Sequence, residues 1–208
     1  MGMPRSVDLA LDRSQEAVSD EAALVAELQA GSERAFAYLV GIYQNPIYNL
    51  IFHMLGNQAE AADVLQDVFV KIFRGIRQFH QKSSLRTWIY QIALREALNE
   101  RRRFHRRLSH EPVSVEDSMS AEGKGWSNSS ESPYLLVEQA ERQEVVRRAL
   151  ATIAEPYRAA LILREIENLT YEEIAQVLGV AQGTVKSRLR RGRDLLRRKL
   201  EGQLRRKA

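Results

Sequence analysis

The clearest pattern in the chain lies between Asn57 and Ile76, where Val64/Leu65, Val68/Phe69, Ile72/Phe73 and Ile76 repeat every four residues. That spacing predicts one amphipathic helix, with Asp63, Gln66 and Asp67 on the face opposite the stripe. Asn57 and Glu60 have the spacing of a capping box at its start. Ahead of it, Asp20 to Leu28 predicts a short helix closed near Gly31. Ser32 is placed to cap the next helix, whose apolar side carries Phe36, Leu39, Val40 and Tyr43. Pro46 interrupts this pattern and predicts a kink or a restart, because proline removes a helical hydrogen bond. Ile47, Leu50, Ile51, Met54 and Leu55 then continue the same side as far as Gly56. Arg77 to Ser84 is a polar loop. From Leu85 a long helix runs through Trp88, Ile89, Ile92, Ala93 and Leu98 toward Arg107. Three helices with short connections thus make a first domain over 20–108, preceded by a polar tail, 1–19, with little periodicity.

Residues 109–133 are serine-rich and acidic with almost no apolar periodicity, the composition of a flexible linker that happens to contain Trp126. A second domain over 134–203 starts with a long apolar-periodic helix from Leu135 to Ile153. Pro156 opens the next helix, at a position where its missing donor costs nothing, and that helix extends to Asn168. Thr170 followed by Glu173 fits a capping box. Ile174, Val177 and Leu178 give the helix it starts an apolar side, and Gly179 is placed to end it. Val180 to Gly183 forms a turn, and Thr184 to Arg193 a second helix with Val185 and Leu189 on one side and Lys186, Arg190 and Arg193 away from them. Two short helices so joined read as helix-turn-helix, whose second helix enters a major groove. The fold class is therefore all-α: two small helical domains joined by a flexible linker, the second a four-helix domain containing a helix-turn-helix.

Charge sharpens this picture more than composition does. The net charge is only +4, but residues 186–207 hold eleven Lys/Arg against Asp194 and Glu201, and residues 101–107 hold five arginines. Two basic patches flanking an acidic segment point to two contacts with a polyanion. Cysteine is absent, which excludes disulfides, thiolate catalysis and cysteine-ligated metal sites. No run approaches the length of a membrane span and the N-terminus lacks a signal-peptide core, so direct membrane insertion is not expected and a soluble, cytoplasmic protein is. The four histidines, His53, His80, His105 and His110, are too scattered for a metal or acid–base set. Asp63 and Asp67 stand one turn apart with no further ligand on their face, and there is no glycine-rich phosphate loop. Neither an enzymatic role nor a cofactor is expected.

The segments Tyr171 to Ala175 and Gly183 to Arg188 resemble, position for position, the promoter-binding C-terminal region of bacterial sigma factors of the extracytoplasmic-function group. Their usual pattern is Tyr-x-Glu-Ile-Ala followed by Gly-Thr-Val-Lys-Ser-Arg. A similar helix pair occurs in response-regulator output domains, so this half speaks more directly for DNA binding than for sigma activity. The first domain extends the resemblance. Asp63, Gln66 and Phe69 keep the family's Ala-Glu-Asp-x-x-Gln-x-x-Phe pattern, while Ala62 replaces the usual acid. Arg86, Thr87, Trp88, Ile92 and Ala93 match the family's Phe-Arg-Thr-Trp-Leu helix and its Ile-Ala continuation. Leu85 replaces the common Phe, and Arg95 stands where the family usually has Asn, a departure that bears on base preference.

The resemblance implies a factor that binds core RNA polymerase, directs it to promoters and promotes DNA melting. It assigns polymerase contacts to Asp63, Gln66 and Asp67. It assigns upstream-element contacts on duplex DNA to Thr184, Lys186, Ser187, Arg188, Arg190 and Arg191. Contacts to the downstream element, melted during initiation, fall to Phe79, His80, Lys82, Trp88, Arg95, Asn99, Arg102 and Arg103. In the family the loop before the long helix captures a flipped base, and Phe79 is suited either to that stacking or to plugging the domain core. Such factors are commonly held inactive by an anti-sigma protein, a further implied partner. The rival reading is a helix-turn-helix regulator that never becomes a polymerase subunit.

Overall fold

The structure, a computed structural model, describes residues 20–110 and 143–207. The expected tail, almost all of the expected linker with Trp126, and the expected start of the second domain lie outside the described residues. Those described are helical apart from the short connections, in two regions.

In the first region α1 (20–29) buries Val25 and Leu28 and ends at Gly31, whose φ of 84° is the left-handed geometry of a helix stop. α2 (Glu33–Leu55) is capped by the Ser32 hydroxyl, which accepts from the Ala35 amide at 3.2 Å. It runs through Pro46 as one element rather than restarting there. The proline denies the Ile42 carbonyl its helical donor, and because Ile42 lies on an exposed turn, water is free to take that bond. Gly56, at φ 82°, closes the helix. α3 (Gln58–Gly75) shows Asn57's half of the expected box, its side chain accepting from the Ala59 and Glu60 amides at 2.9 and 3.2 Å. Its buried stripe is Ala61, Val64, Val68 and Ile72, continued by Ile76. Phe73, expected on that stripe, is instead 54% exposed. A stripe two residues wide at each step spans more of the helix surface than one packing face can cover, so the flanking member is left outside.

α4 (Leu85–His110) runs two residues past the expected domain boundary. Two caps start it: the Ser84 hydroxyl accepts from the Thr87 amide at 3.1 Å, and Glu21 of α1 accepts from the Leu85 amide at 2.8 Å. Leu85, Ile89, Tyr90, Ala93, Leu94 and Ala97 are its buried positions. The Lys71–Glu96 ion pair ties α4 to α3.

In the second region helical residues 143–151 (α5) stop short of Ile153, which is buried in the turn that follows. α6 (Glu155–Leu161) has Pro156 in its first turn, as expected. It does not continue to Asn168 as an α-helix. Ile162–Ile166 winds as a π-helix, and Asn168 sits at φ 55°. α7 (Tyr171–Leu178) has the predicted reciprocal box between Thr170 and Glu173, and Gly179 at φ 63° ends it. α8 (Gln182–Lys207) starts two residues before Thr184 and extends far beyond Arg193. Gly192 lets it cross α6 closely, since a Cβ there would lie 2.9 Å from Leu161 Cγ.

The regions pack together, α4 against α7 and the end of α2 against α6 and the π-helix. His53, in the last turn of α2, has a buried Nδ1 with no hydrogen-bond partner among the described residues. Burial first, and then the nearby Arg147 charge, hold its pKa below the usual 6.5. The folded state therefore favours neutral His53. Its contribution to stability is fully present above pH 6.5 and is lost as pH falls through the lowered value. Thermal melts should drop more steeply with acidification below pH 6.5 in the wild type than in His53→Gln; parallel curves would refute this account.

Candidate nucleic-acid interface

The helix-turn-helix is built by three local devices. The Thr170 box fixes where α7 starts, and left-handed Gly179 turns the chain. The Ala181 carbonyl then accepts from the Thr184 and Val185 amides at 2.9 and 3.1 Å, launching α8. Val185 and Leu189 are buried against the rest of the region, which orients the opposite face outward. Lys186, Ser187, Arg190 and Arg191 are exposed there, with Thr184 and Arg188 half-buried. Arg193 is engaged elsewhere: it grips Glu165 at 2.7–2.9 Å, and that bond holds its pKa above the ordinary value. Arg164 over the Tyr171 ring, 5.2 Å from its centroid, braces the π-helix against α7 as Arg193 braces it against α8.

On α4 the basic cluster is only partly available. Glu100 takes Arg103 and Arg107 at 3.2 and 2.7 Å, and Glu155 takes Arg101 at 3.3 Å. Arg95 and Arg102 are exposed and have no acid within ion-pair distance among the described residues, and Asn99 lies beside them half-buried. The loop divides by role. His80 and Lys82 are exposed, with Gln81 at φ 51° between them. Phe79 is only 6% exposed and packs on the Trp88 ring at 5.0 Å, so of its two possible roles the core plug is the one observed. Its ring fills the space where the short 3₁₀ turn Ile76–Gln78 meets α4. Gln29 of α1 holds that turn from behind, donating to the Ile76 and Phe79 carbonyls at 3.2 and 2.9 Å.

Tertiary packing brings Arg188 of α8 beside the basic set of α4. Gln91, Arg95, Asn99 and Arg102 of α4 face Gln176 to Gly179 and Arg188 across one groove of about 560 Å³, closed at one end by Glu155 and Pro156. Three arginines against one glutamate make it strongly positive.

A third surface lies on α3. Asp63, Gln66 and Asp67 are exposed, as predicted. The structure adds Val70 and Phe73, 46% and 54% exposed on the same face. Val70 follows Asp63 by seven residues, two turns along, so it sits in the middle of that face; the helical period held the signal. Apolar residues amid exposed acids mark a protein contact better than charge alone.

Comparison with known proteins identifies the family of the chain. The family model for sigma-70 region 2 matches residues 39–108, and that for sigma-70 region 4 matches residues 143–196. The RNA polymerase sigma-H factor of Pseudomonas aeruginosa is 37% identical over 88% of this chain and 94% of its own. The ECF RNA polymerase sigma-E factor of Escherichia coli K12 is 32% identical over 88% and 95%. The chain belongs to the extracytoplasmic-function sigma factors. Like the rest of that family it binds RNA polymerase and directs promoter recognition, and the rival of a free-standing regulator falls away. Two solved structures share the fold of this sigma factor, each with a TM-score of 0.65 and 21% identity. CnrH in complex with the cytosolic domain of CnrY covers 88% of this chain and 97% of that one. The sigma factor RpoE in complex with the anti-sigma factor NepR from Bartonella quintana covers 80% and 96%. No helix among the described residues is long and apolar enough to cross a membrane.

Proposed function

We propose that the sigma factor divides its work among three surfaces of different charge. The outward face of α3, with Asp63, Gln66 and Asp67 around Val70, docks on the polymerase. The outward face of α8 reads the upstream promoter element in the major groove, with Lys186, Arg188 and Arg190 at its centre and Thr184, Ser187 and Arg191 at its rim. α4 and its preceding loop take the downstream element: Arg95, Asn99 and Arg102 hold the strand, and Arg103, half exposed while paired with Glu100, adds to them. His80 and Lys82 meet an unpaired base without Phe79, and Trp88 supports the loop from below. Binding unpaired bases shifts the duplex toward its open form, so melting needs no catalytic group. The observation that supports this division best is the opposite sign of the exposed faces, acidic and apolar on α3, basic on α8. The RpoE–NepR complex supports an anti-sigma protein as a further partner, competing for these same surfaces.

The DNA assignment is tested by gel-shift titration on a promoter identified by run-off transcription. Arg188→Ala should lose roughly 1–3 kcal/mol of discrimination if it touches a base. The Lys186, Arg188, Arg190 triple alanine variant should bind more weakly, with a shallower dependence on salt because fewer counterions are displaced. Equal binding by the triple variant and the wild type would remove α8 from the reading role.

A further inference from the structure

After α6 the helix widens for reasons its own residues do not supply. Ile162–Ile166 contains neither glycine nor proline, yet the Glu167 amide donates back five residues to the Ile162 carbonyl at 3.0 Å. Such wide turns are rare and concentrate at functional sites. Here the turn buries Ile162 and Leu163 and sends the next two side chains, Arg164 and Glu165, one toward each helix of the helix-turn-helix.

Four side chains meet there. Arg164 donates to the Leu169 carbonyl at 2.7 Å, and its guanidinium lies over the Tyr171 ring, the first residue of α7. Glu165 Oε1 accepts from both Nε and Nη2 of Arg193, at 2.9 and 2.7 Å, and the Tyr171 side chain is a further partner for that guanidinium. The π-helix is thereby tied to the start of α7 and to the middle of α8.

The position of Arg193 gives this tie its consequence. Its neighbour Gly192 is where α8 crosses α6 with no room for a Cβ, so the crossing acts as a pivot. Val185 and Leu189 hold the helix down, but apolar contact is non-directional and resists a small tilt weakly. Arg193 follows Lys186 by seven residues and Arg190 by three, so it shares their strip of the helix. Pinning Arg193 therefore fixes where that strip points. From Arg193 back to Thr184 is about 13 Å of helix, and a tilt of about 5° moves that end by about 1 Å. A recognition contact tolerates only about 0.5 Å. The pair itself is half exposed, 50% and 48%, so it adds little to stability and acts on direction instead.

We propose that Glu165 is a positioning residue for promoter recognition: through Arg193 it sets the angle at which α8 presents Lys186, Arg188 and Arg190 to the upstream element. This rests on the reading of α8 as the upstream-element contact. Glu165 is an acid and is repelled by phosphate, so a loss on removing it cannot come from a lost contact with the DNA backbone.

Glu165→Gln removes the charge and keeps the shape. In gel-shift titrations of the full chain, its preference for the promoter over a scrambled duplex of equal length should fall about tenfold, roughly what one base contact supplies. Run-off transcription with core polymerase at limiting promoter should fall with it. The scrambled duplex should be bound at least as tightly as by the wild type, because Arg193 is released as an extra cation. The melting temperature should drop by no more than about 3 °C, as for any exposed ion pair. Arg193→Gln should lose a similar share of the preference, and the double variant no more than either single one. Unchanged preference in Glu165→Gln, equal weakening on both duplexes, or additive losses in the double variant would each overturn the proposal. A Lys186, Arg188, Arg190 triple alanine variant that bound the promoter as the wild type does would instead strike the reading of α8, so the two failures stay distinguishable.

Discussion

Exchanging Asp63 and Asp67 for lysine is expected to abolish core-polymerase binding while leaving the fold intact. Both side chains are exposed on the face of α3 opposite buried Val64, Val68 and Ile72. A surface exchange of this kind changes stability by no more than about 0.5 kcal/mol, so circular dichroism and the melting temperature should hold. In an interface the same exchange sets like charges against the basic residues of an acid-binding partner, a penalty of several kcal/mol. Affinity for core enzyme should fall by about a hundredfold or more. Val70→Asp should act in the same direction by wetting the apolar centre around which such interfaces concentrate their energy. Size exclusion or fluorescence anisotropy with purified core polymerase decides it, with run-off transcription as the functional reading. A folded double variant that binds and transcribes normally would move the docking surface elsewhere without disturbing the family assignment.

Replacing Arg158 should unfold the protein more readily than any other single change considered for this chain. Its side chain is buried, 7% exposed, and its guanidinium caps two helices at once. It donates to the Met54 carbonyl at the end of α2 at 3.0 Å, to Ala151 at the end of α5 at 2.6 Å, and to Ile153 at 2.9 and 3.2 Å. Helix C-termini carry unpaired carbonyls and negative dipole ends, which suits a cation. Burial, and secondarily the charge of Arg101, lower its pKa to about 10, so it stays charged throughout the physiological range. Two effects compete in Arg158→Met: a buried charge is relieved, and three backbone carbonyls lose their donor. The second wins, because backbone groups cannot be repacked away and each costs about 1–3 kcal/mol when left bare. A net loss of roughly 3 kcal/mol would lower the melting temperature by about 10 °C in a chain of this size. Arg158→Lys should fall between, since a point charge cannot reach three acceptors as a planar fork does. A shift below about 2 °C in Arg158→Met would show that the three carbonyls find other partners.

Much of this protein was legible as sequence because its signals are local. The Thr170–Glu173 box, the Gly179 stop, Pro156 in a first turn and the α3 stripe each depend on residues within one or two turns of each other. Backbone hydrogen-bond demand and helical period act at that range, so the helices and the family could be read without a fold. Exceptions arose where packing overrode a local rule. Pro46 did not restart α2, Phe73 left the stripe, and α6 loosened into a π-helix before Asn168 instead of continuing.

The sequence by itself determined the all-α class, the helix-turn-helix, the acidic face of α3 and the basic faces of α4 and α8. Only the tertiary structure decided which of those faces are available. Phe79 was assigned to the core by Trp88 of α4, and Arg101 was taken by Glu155 at the start of α6. The meeting of Tyr90 with Glu167, seventy-seven residues apart, and of Arg95 with Arg188 across one groove has no periodic signature. Helical spacing reports which residues share a side of one helix. It carries no record of which other helix that side will meet, because that choice is made by shape and charge over distances the local pattern does not reach.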